Sequence, residues 1–146
     1  MNEAVFDTNV LVSGFLSPHG PPGRIVEWLR EGSVRAVLDD RILKEYSEVL
    51  NGAVFGLPRH EVGLVLDAVR RHAQWVTVPP ATTARDVPDP DDAPLLECAR
   101  SADVVLVTGN TRHYPKRVAV KVRVLTPAEY VRTLQARAKG DTHPCG

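Results

Sequence analysis

Two apolar runs without polar alternation, Ala4-Val5-Phe6 and Val104-Val105-Leu106-Val107, each end in small polar residues: Asp7-Thr8-Asn9 after the first, Thr108-Gly109-Asn110 after the second. Strands buried on both faces read this way, and such strands belong to parallel sheets covered by helices. Further strands are predicted at Val34–Leu38, Trp75–Val78 and Val118–Leu125, the last alternating through Lys121 and Arg123 as an edge strand does. Helical spacing lies between them. Ile25, Val26 and Leu29 share one face before the stop at Gly32; Val62, Val65, Leu66 and Val69 share another. Strands alternating with helices predict an α/β fold with a parallel sheet and right-handed crossovers.

The punctuation agrees. Thr8 or Asn9 suits the cap of a helical segment reaching Leu16, and Ser17–Gly23 is dense in breakers. Pro79–Pro88 reads as an extended surface loop. Thr126-Pro127-Ala128-Glu129 opens a last helix with a cap, a proline and a glutamate three positions on. A chain of 146 residues suits one domain, expected over 1–137, with a flexible tail at 138–146. The formal net charge is zero, so no global basic field announces a nucleic-acid binder, although a local patch is compatible with it. Cys98 and Cys145 fit no metal spacing. With no signal-peptide pattern and no long apolar run, the expectation is a soluble cytoplasmic protein without a membrane partner.

In alternating α/β folds, ligands gather outside the carboxyl ends of the strands. Asp7 stands at such an end, and two more acids are candidates to join it. Ile42, Leu43, Tyr46, Val49 and Leu50 form one stripe of the helix over Asp39–Leu50. Glu45 lies roughly 100° from the centre of that stripe and Glu48 roughly 160°. Glu45 therefore borders the buried face, where it is either a cleft residue or an ordinary flanking charge. Asp92 shares a stripe with Leu95, Leu96 and Ala99, whereas Asp91 and Glu97 fall off it. Asp89 and Asp91 are accounted for by capping, since acids favour a helix start. Three carboxylates drawn together repel one another, and a divalent cation removes the conflict. Hard oxygen ligands select Mg²⁺ or Mn²⁺, and the chemistry best served is hydrolysis of a phosphodiester.

The motifs Phe6-Asp7-Thr8-Asn9-Val10-Leu11, Ile42-Leu43-Lys44-Glu45-Tyr46, Asp89-Pro90-Asp91-Asp92 leading to Ala99, and Val107-Thr108-Gly109-Asn110 with His113-Tyr114-Pro115 occur in that order. In register, the chain resembles a PIN domain, in the branch of toxin components of bacterial toxin–antitoxin systems (VapC-like ribonucleases). The resemblance runs from about Ala4 to Leu134. It implies a three-layer α/β/α sandwich around a mostly parallel five-stranded sheet, and a Mg²⁺- or Mn²⁺-dependent endoribonuclease. Asp7 and Asp92 would be metal ligands, with Glu45 positioning metal or the attacking water. Asn9 and Thr108 would hold the carboxylates by hydrogen bonds. RNA as substrate, a cognate antitoxin covering the cleft, and a homodimer are implied as partners.

One position departs from the pattern. Many relatives carry an aspartate where this chain has Asn110, the fourth candidate catalytic residue beside Asp7, Glu45 and Asp92; its amide oxygen can ligate a hard cation but brings no negative charge, which weakens a second metal more than the first. Asp89 or Asp91 can compensate. His113 is a candidate for contact with RNA phosphate, or packs beside Tyr114. Lys116 and Arg117 are candidates for non-specific phosphate contacts, or a solvated loop. Two rival readings follow from the residues. A phosphatase with Asp7 as nucleophile would need an acid where Asn9 stands. A PIN fold with a weakened site would bind RNA or antitoxin without catalysis.

Overall fold

The computed structural model describes residues 2–78, 92–116 and 121–141. Five strands form one sheet: β1 (Asn2–Phe6), β2 (Val34–Leu38), β3 (Gln74–Trp75), β4 (Val105–Val107) and β5 (Val124–Leu125). Their order is β3-β2-β1-β4-β5, and every pairing is parallel. The helices are α1 (Thr8–Leu16), α2 (Pro21–Glu31), α3 (Asp40–Asn51), α4 (Arg59–His72), α5 (Ala93–Ala102) and α6 (Pro127–Asp141). They flank the sheet: α5 packs on β1, β2 and β4, α2 and α4 pack on β2, and α6 packs on β5. The central strands are closed to water, with Ala4, Val5, Phe6, Leu106 and Val107 wholly buried.

The order of the strands positions the site. The chain passes from β1 to β2 to β3 in one direction, then returns across β1 to lay down β4 and β5 on the other side. The reversal lies between β1 and β4. At that point the connections leave in opposite directions and open a crevice at the carboxyl ends. Phe6 pairs with Val107 in register, so Asp7 and Thr108 are the next residues of neighbouring strands.

Several elements begin or end elsewhere than the sequence predicts. α1 is capped by Asp7, whose carboxylate accepts from the Asn9 N–H, and not by Thr8 or Asn9. α2 starts at Pro21, since proline is accommodated in a first turn. It stops at Gly32, which takes the left-handed conformation at φ 81° that side chains disfavour. β3 is shorter and earlier than Trp75–Val78. β5 is an edge strand but spans only Val124–Leu125, and Val118–Val120 lie outside the described residues. Helix α6 continues to Asp141, into the segment expected to fray. At its start the reciprocal cap forms: Thr126 N–H donates to Glu129 Oε1 at 2.9 Å, and Glu129 N–H donates to Thr126 Oγ1 at 3.1 Å.

Tyr46, fully buried on α3, donates its hydroxyl to the carbonyl of Phe6. This ties the helix bearing Glu45 to the last residue of β1. Tyr46→Phe is expected to lower stability by roughly 1–3 kcal/mol, because the Phe6 carbonyl loses a buried partner. Urea unfolding of the two proteins measures it.

Candidate active site

The crevice between β1 and β4 gathers polar side chains from four segments. Asp7 is buried at the end of β1, and Thr108 Oγ1 donates to its Oδ2 at 2.9 Å. The same hydroxyl accepts from the Asn110 N–H at 3.0 Å, so its proton is directed to the aspartate. Asn9 Oδ1 accepts from the Gly109 N–H at 3.0 Å, fastening the start of α1 to the turn after β4. These bonds fix Asp7 from two sides without neutralising it. Burial pushes its pKa above the ordinary carboxylate range, and the charge of Asp92 pushes the same way. The Thr108 hydroxyl, the Asn9 N–H and His113 oppose them without cancelling the rise.

Asp92 is buried at the N-terminal end of α5, where its side chain makes no cap hydrogen bond to the helix. Its Oδ2 lies 2.7 Å from His113 Nδ1, on the short 3₁₀ helix Thr111–His113. Glu45 is half-buried and Glu48 exposed, as the helical spacing predicts. Glu45 Oε2 accepts the hydroxyl of Thr8, the residue after Asp7. The Tyr114 hydroxyl is buried near these groups. Burial raises its pKa, and the charges of Asp7, Asp92 and Glu45 raise it further. One phenol thus feels three carboxylates from three elements.

The three do not close into a cage. Among the described residues no group of three His, Cys, Asp or Glu side chains is placed to hold a metal ion. The expected triple convergence is therefore looser than the sequence suggests, with Glu45 turned to Thr8. The chemistry of the donors still fits a hard dication. Mg²⁺ keeps several waters and takes one or two protein carboxylates. Asp7 and Asp92 supply two oxygen donors, and the charge of Asp92 disfavours that of the buried Asp7, which is the conflict a dication relieves.

Other candidates take the following places. The Asn110 side chain is half-buried beside the site and caps no helix. Lys116 is exposed beyond Tyr114. Arg117, Asp89 and Asp91 lie outside the described residues. Helical spacing places Glu97 off the buried face of its helix, but it is buried and accepts from Arg41 at 2.8 Å. Arg41 itself carried no signal, because a charge in a first helical turn reads as solvated.

A family model described as PIN domain matches residues 3–112. The chain belongs to the PIN domain family. The match covers β1 through β4 with Asp7, Glu45 and Asp92, and the parallel five-stranded sheet flanked by helices is consistent with the PIN fold. An uncharacterized protein of Methanocaldococcus jannaschii is 24% identical over 138 residues, covering 88% of this chain and 89% of that protein. No solved structure matches the chain. PIN domains are generally nucleases and typically use divalent metals. In this PIN domain, no helix among the described residues is long and apolar enough to cross a membrane.

Proposed function

We propose that this PIN domain is a Mg²⁺- or Mn²⁺-dependent endoribonuclease acting as the toxin of a toxin–antitoxin pair. The observation that carries the reading is the buried Asp7 at the switch point, hydrogen-bonded by Thr108 and pressed by the charge of Asp92. Asp7 and Asp92 would hold the metal. Bound there, it would lower the pKa of a water, orient it and offset charge on a phosphoryl oxygen.

The chain's own residues do the rest. Thr108 and the Asn9 N–H orient the two Asp7 oxygens, so that the carboxylate does not turn away from the crevice. His113 holds Asp92 Oδ2. Glu45 Oε2 is taken by Thr8, which leaves Oε1 to orient the attacking water. Lys116, exposed after the buried Tyr114, offers a positioning contact to an RNA phosphate. The resemblance supports a cognate antitoxin, a homodimer and a cytoplasmic setting as parts of the same reading. The phosphatase alternative gains nothing here, because Asn9 is engaged with Gly109 N–H and brings no acid.

The test is cleavage of single-stranded RNA by purified protein with Mn²⁺ and with chelator, alongside calorimetric Mn²⁺ binding. Saturable binding and metal-dependent cleavage support the reading; absence of both refutes it. Asn110→Asp is expected to tighten Mn²⁺ binding about ten-fold or to add a second ion, since it restores a negative oxygen donor beside Thr108. Calorimetric affinity and stoichiometry measure this directly.

A further inference from the structure

A charged network outside the crevice joins the two helices that carry Glu45 and Asp92. Asp39 is the hub. Its Oδ1 accepts from the N–H groups of Arg41 and Ile42 and caps α3. Its Oδ2 accepts from Arg41 Nε at 2.9 Å and Arg41 Nη2 at 2.7 Å. This bidentate grip aims the remaining nitrogen, Nη1, across to Glu97 Oε1 on α5 at 2.8 Å. The Glu97 side chain is only 7% exposed, against 47% for Arg41. A buried carboxylate of this kind is costly unless paired.

The placement of the bridge gives it meaning. α3 follows β2 and α5 precedes β4, and β1 separates those two strands in the sheet. No ladder hydrogen bond therefore couples the two helices through adjacent strands. Arg41 and Glu45 stand one turn apart on the same face of α3. Glu97 stands on the same helix as Asp92. The ion pair is thus a direct tie between the supports of two site acids.

We propose that Arg41 is a positioning residue: by clamping α3 to α5 through Asp39 and Glu97, it sets the span between Glu45 and Asp92. The consequence for metal binding rests on the nuclease reading above; the clamp itself does not. Orienting partners of metal ligands typically change affinity or activity by 10- to 100-fold when removed. Electrostatics and positioning predict opposite signs for one variant. Arg41→Gln removes a positive charge near the acids, so by charge alone Mn²⁺ would bind more tightly. Loss of the clamp makes it bind more weakly.

Two measurements test this. The first is calorimetric Mn²⁺ affinity and RNA cleavage for Arg41→Gln, Glu97→Gln and the double variant. The expected result is affinity weakened about ten-fold in each, with kcat lowered more than KM is raised and the double variant no worse than either single. Unchanged or tighter binding in Arg41→Gln overturns the proposed effect on the site. The second measurement needs no metal. Spin labels at Lys44→Cys and Ser101→Cys, both exposed, report the distance between α3 and α5 with Cys145→Ser and the buried Cys98 retained. Arg41→Gln should broaden or shift a distribution that is narrow with Arg41 present. An unaltered distribution overturns the clamp. If the unsubstituted protein neither binds Mn²⁺ nor cleaves RNA, the nuclease reading falls, and the spin-label distance still decides the clamp.

Discussion

Asp7→Asn and Asp92→Asn are each expected to lower metal-dependent cleavage of single-stranded RNA by more than about a hundred-fold, beyond the usual cost of losing a supporting partner. Both substitutions keep size and one acceptor oxygen while removing the charge. Asparagine caps a helix about as well as aspartate, so α1 keeps its start in Asp7→Asn. With its amide oxygen kept on the Asn9 N–H, the amide NH2 faces Thr108 Oγ1, which can accept in place of donating. Asp92 provides no side-chain cap to α5, so Asp92→Asn removes none. The fold should therefore survive in both, with circular dichroism and cooperative melting unchanged in form. Activity is read on a fluorescent RNA with Mn²⁺, in preparations shown to be free of contaminating nuclease. Cleavage retained by both variants would contradict the assignment of these acids.

Much of this architecture is legible along the chain because its central strands are short and uniformly apolar. Val5-Phe6 and Val104–Val107 have no polar alternation, and the structure buries Val5, Phe6, Leu106 and Val107 at the centre of the sheet, with Val104 and Val105 half-buried. The polar residues that end these runs locate the crevice, because register pairs Phe6 with Val107. Helical spacing distinguishes Glu45 from Glu48, since both stand on one regular helix with a strong apolar stripe. The same argument places Asp92 among Leu95, Leu96 and Ala99, all of which are buried.

Spacing fails where a long side chain or a short contact decides. Glu97 lies off the stripe of α5, yet Arg41 reaches it from another helix and makes its burial tolerable. That pairing depends on tertiary approach, which no periodicity encodes. The sequence pattern suggests Thr8 or Asn9 as the cap of α1, but Asp7 provides it. Thr8 instead donates to Glu45, from a helix more than thirty residues on. This contact holds Glu45 away from a tight three-acid cage, and the residues involved are unremarkable in sequence. β3 ends at Trp75, although Val76 and Val78 continue the apolar run past the point where strand pairing stops.

Metal and pH should act on stability in opposite directions through one residue. In the unfolded chain Asp7 titrates near its ordinary value of 3.8, and in the metal-free native protein its pKa is higher, chiefly through burial. The native state then holds the proton more tightly than the unfolded one. Protonated Asp7 contributes stability that is full below the ordinary carboxylate value and is lost as pH rises through the raised native value. Metal-free Asp7→Asn, which cannot ionise, should therefore melt above the unsubstituted protein at neutral pH, and the gap should close below about pH 4. Comparing the two proteins isolates Asp7 from the other acids that titrate in the same range. Mn²⁺ reverses the order. At a hundred times its Kd, an ion bound only by the native state contributes about 2.7 kcal/mol, which should raise Tm by roughly 10 °C in a chain of this size. Asp7→Asn should show little or none of that rise. Calorimetric melting of both proteins from about pH 3 to about pH 8, with Mn²⁺ and with chelator, gives all four curves. An equal Mn²⁺ response in the two proteins would remove Asp7 from the metal site. If the metal-free gap stays constant with pH, the buried carboxylate is not the source of the instability, and the crevice has no charge conflict for a dication to relieve.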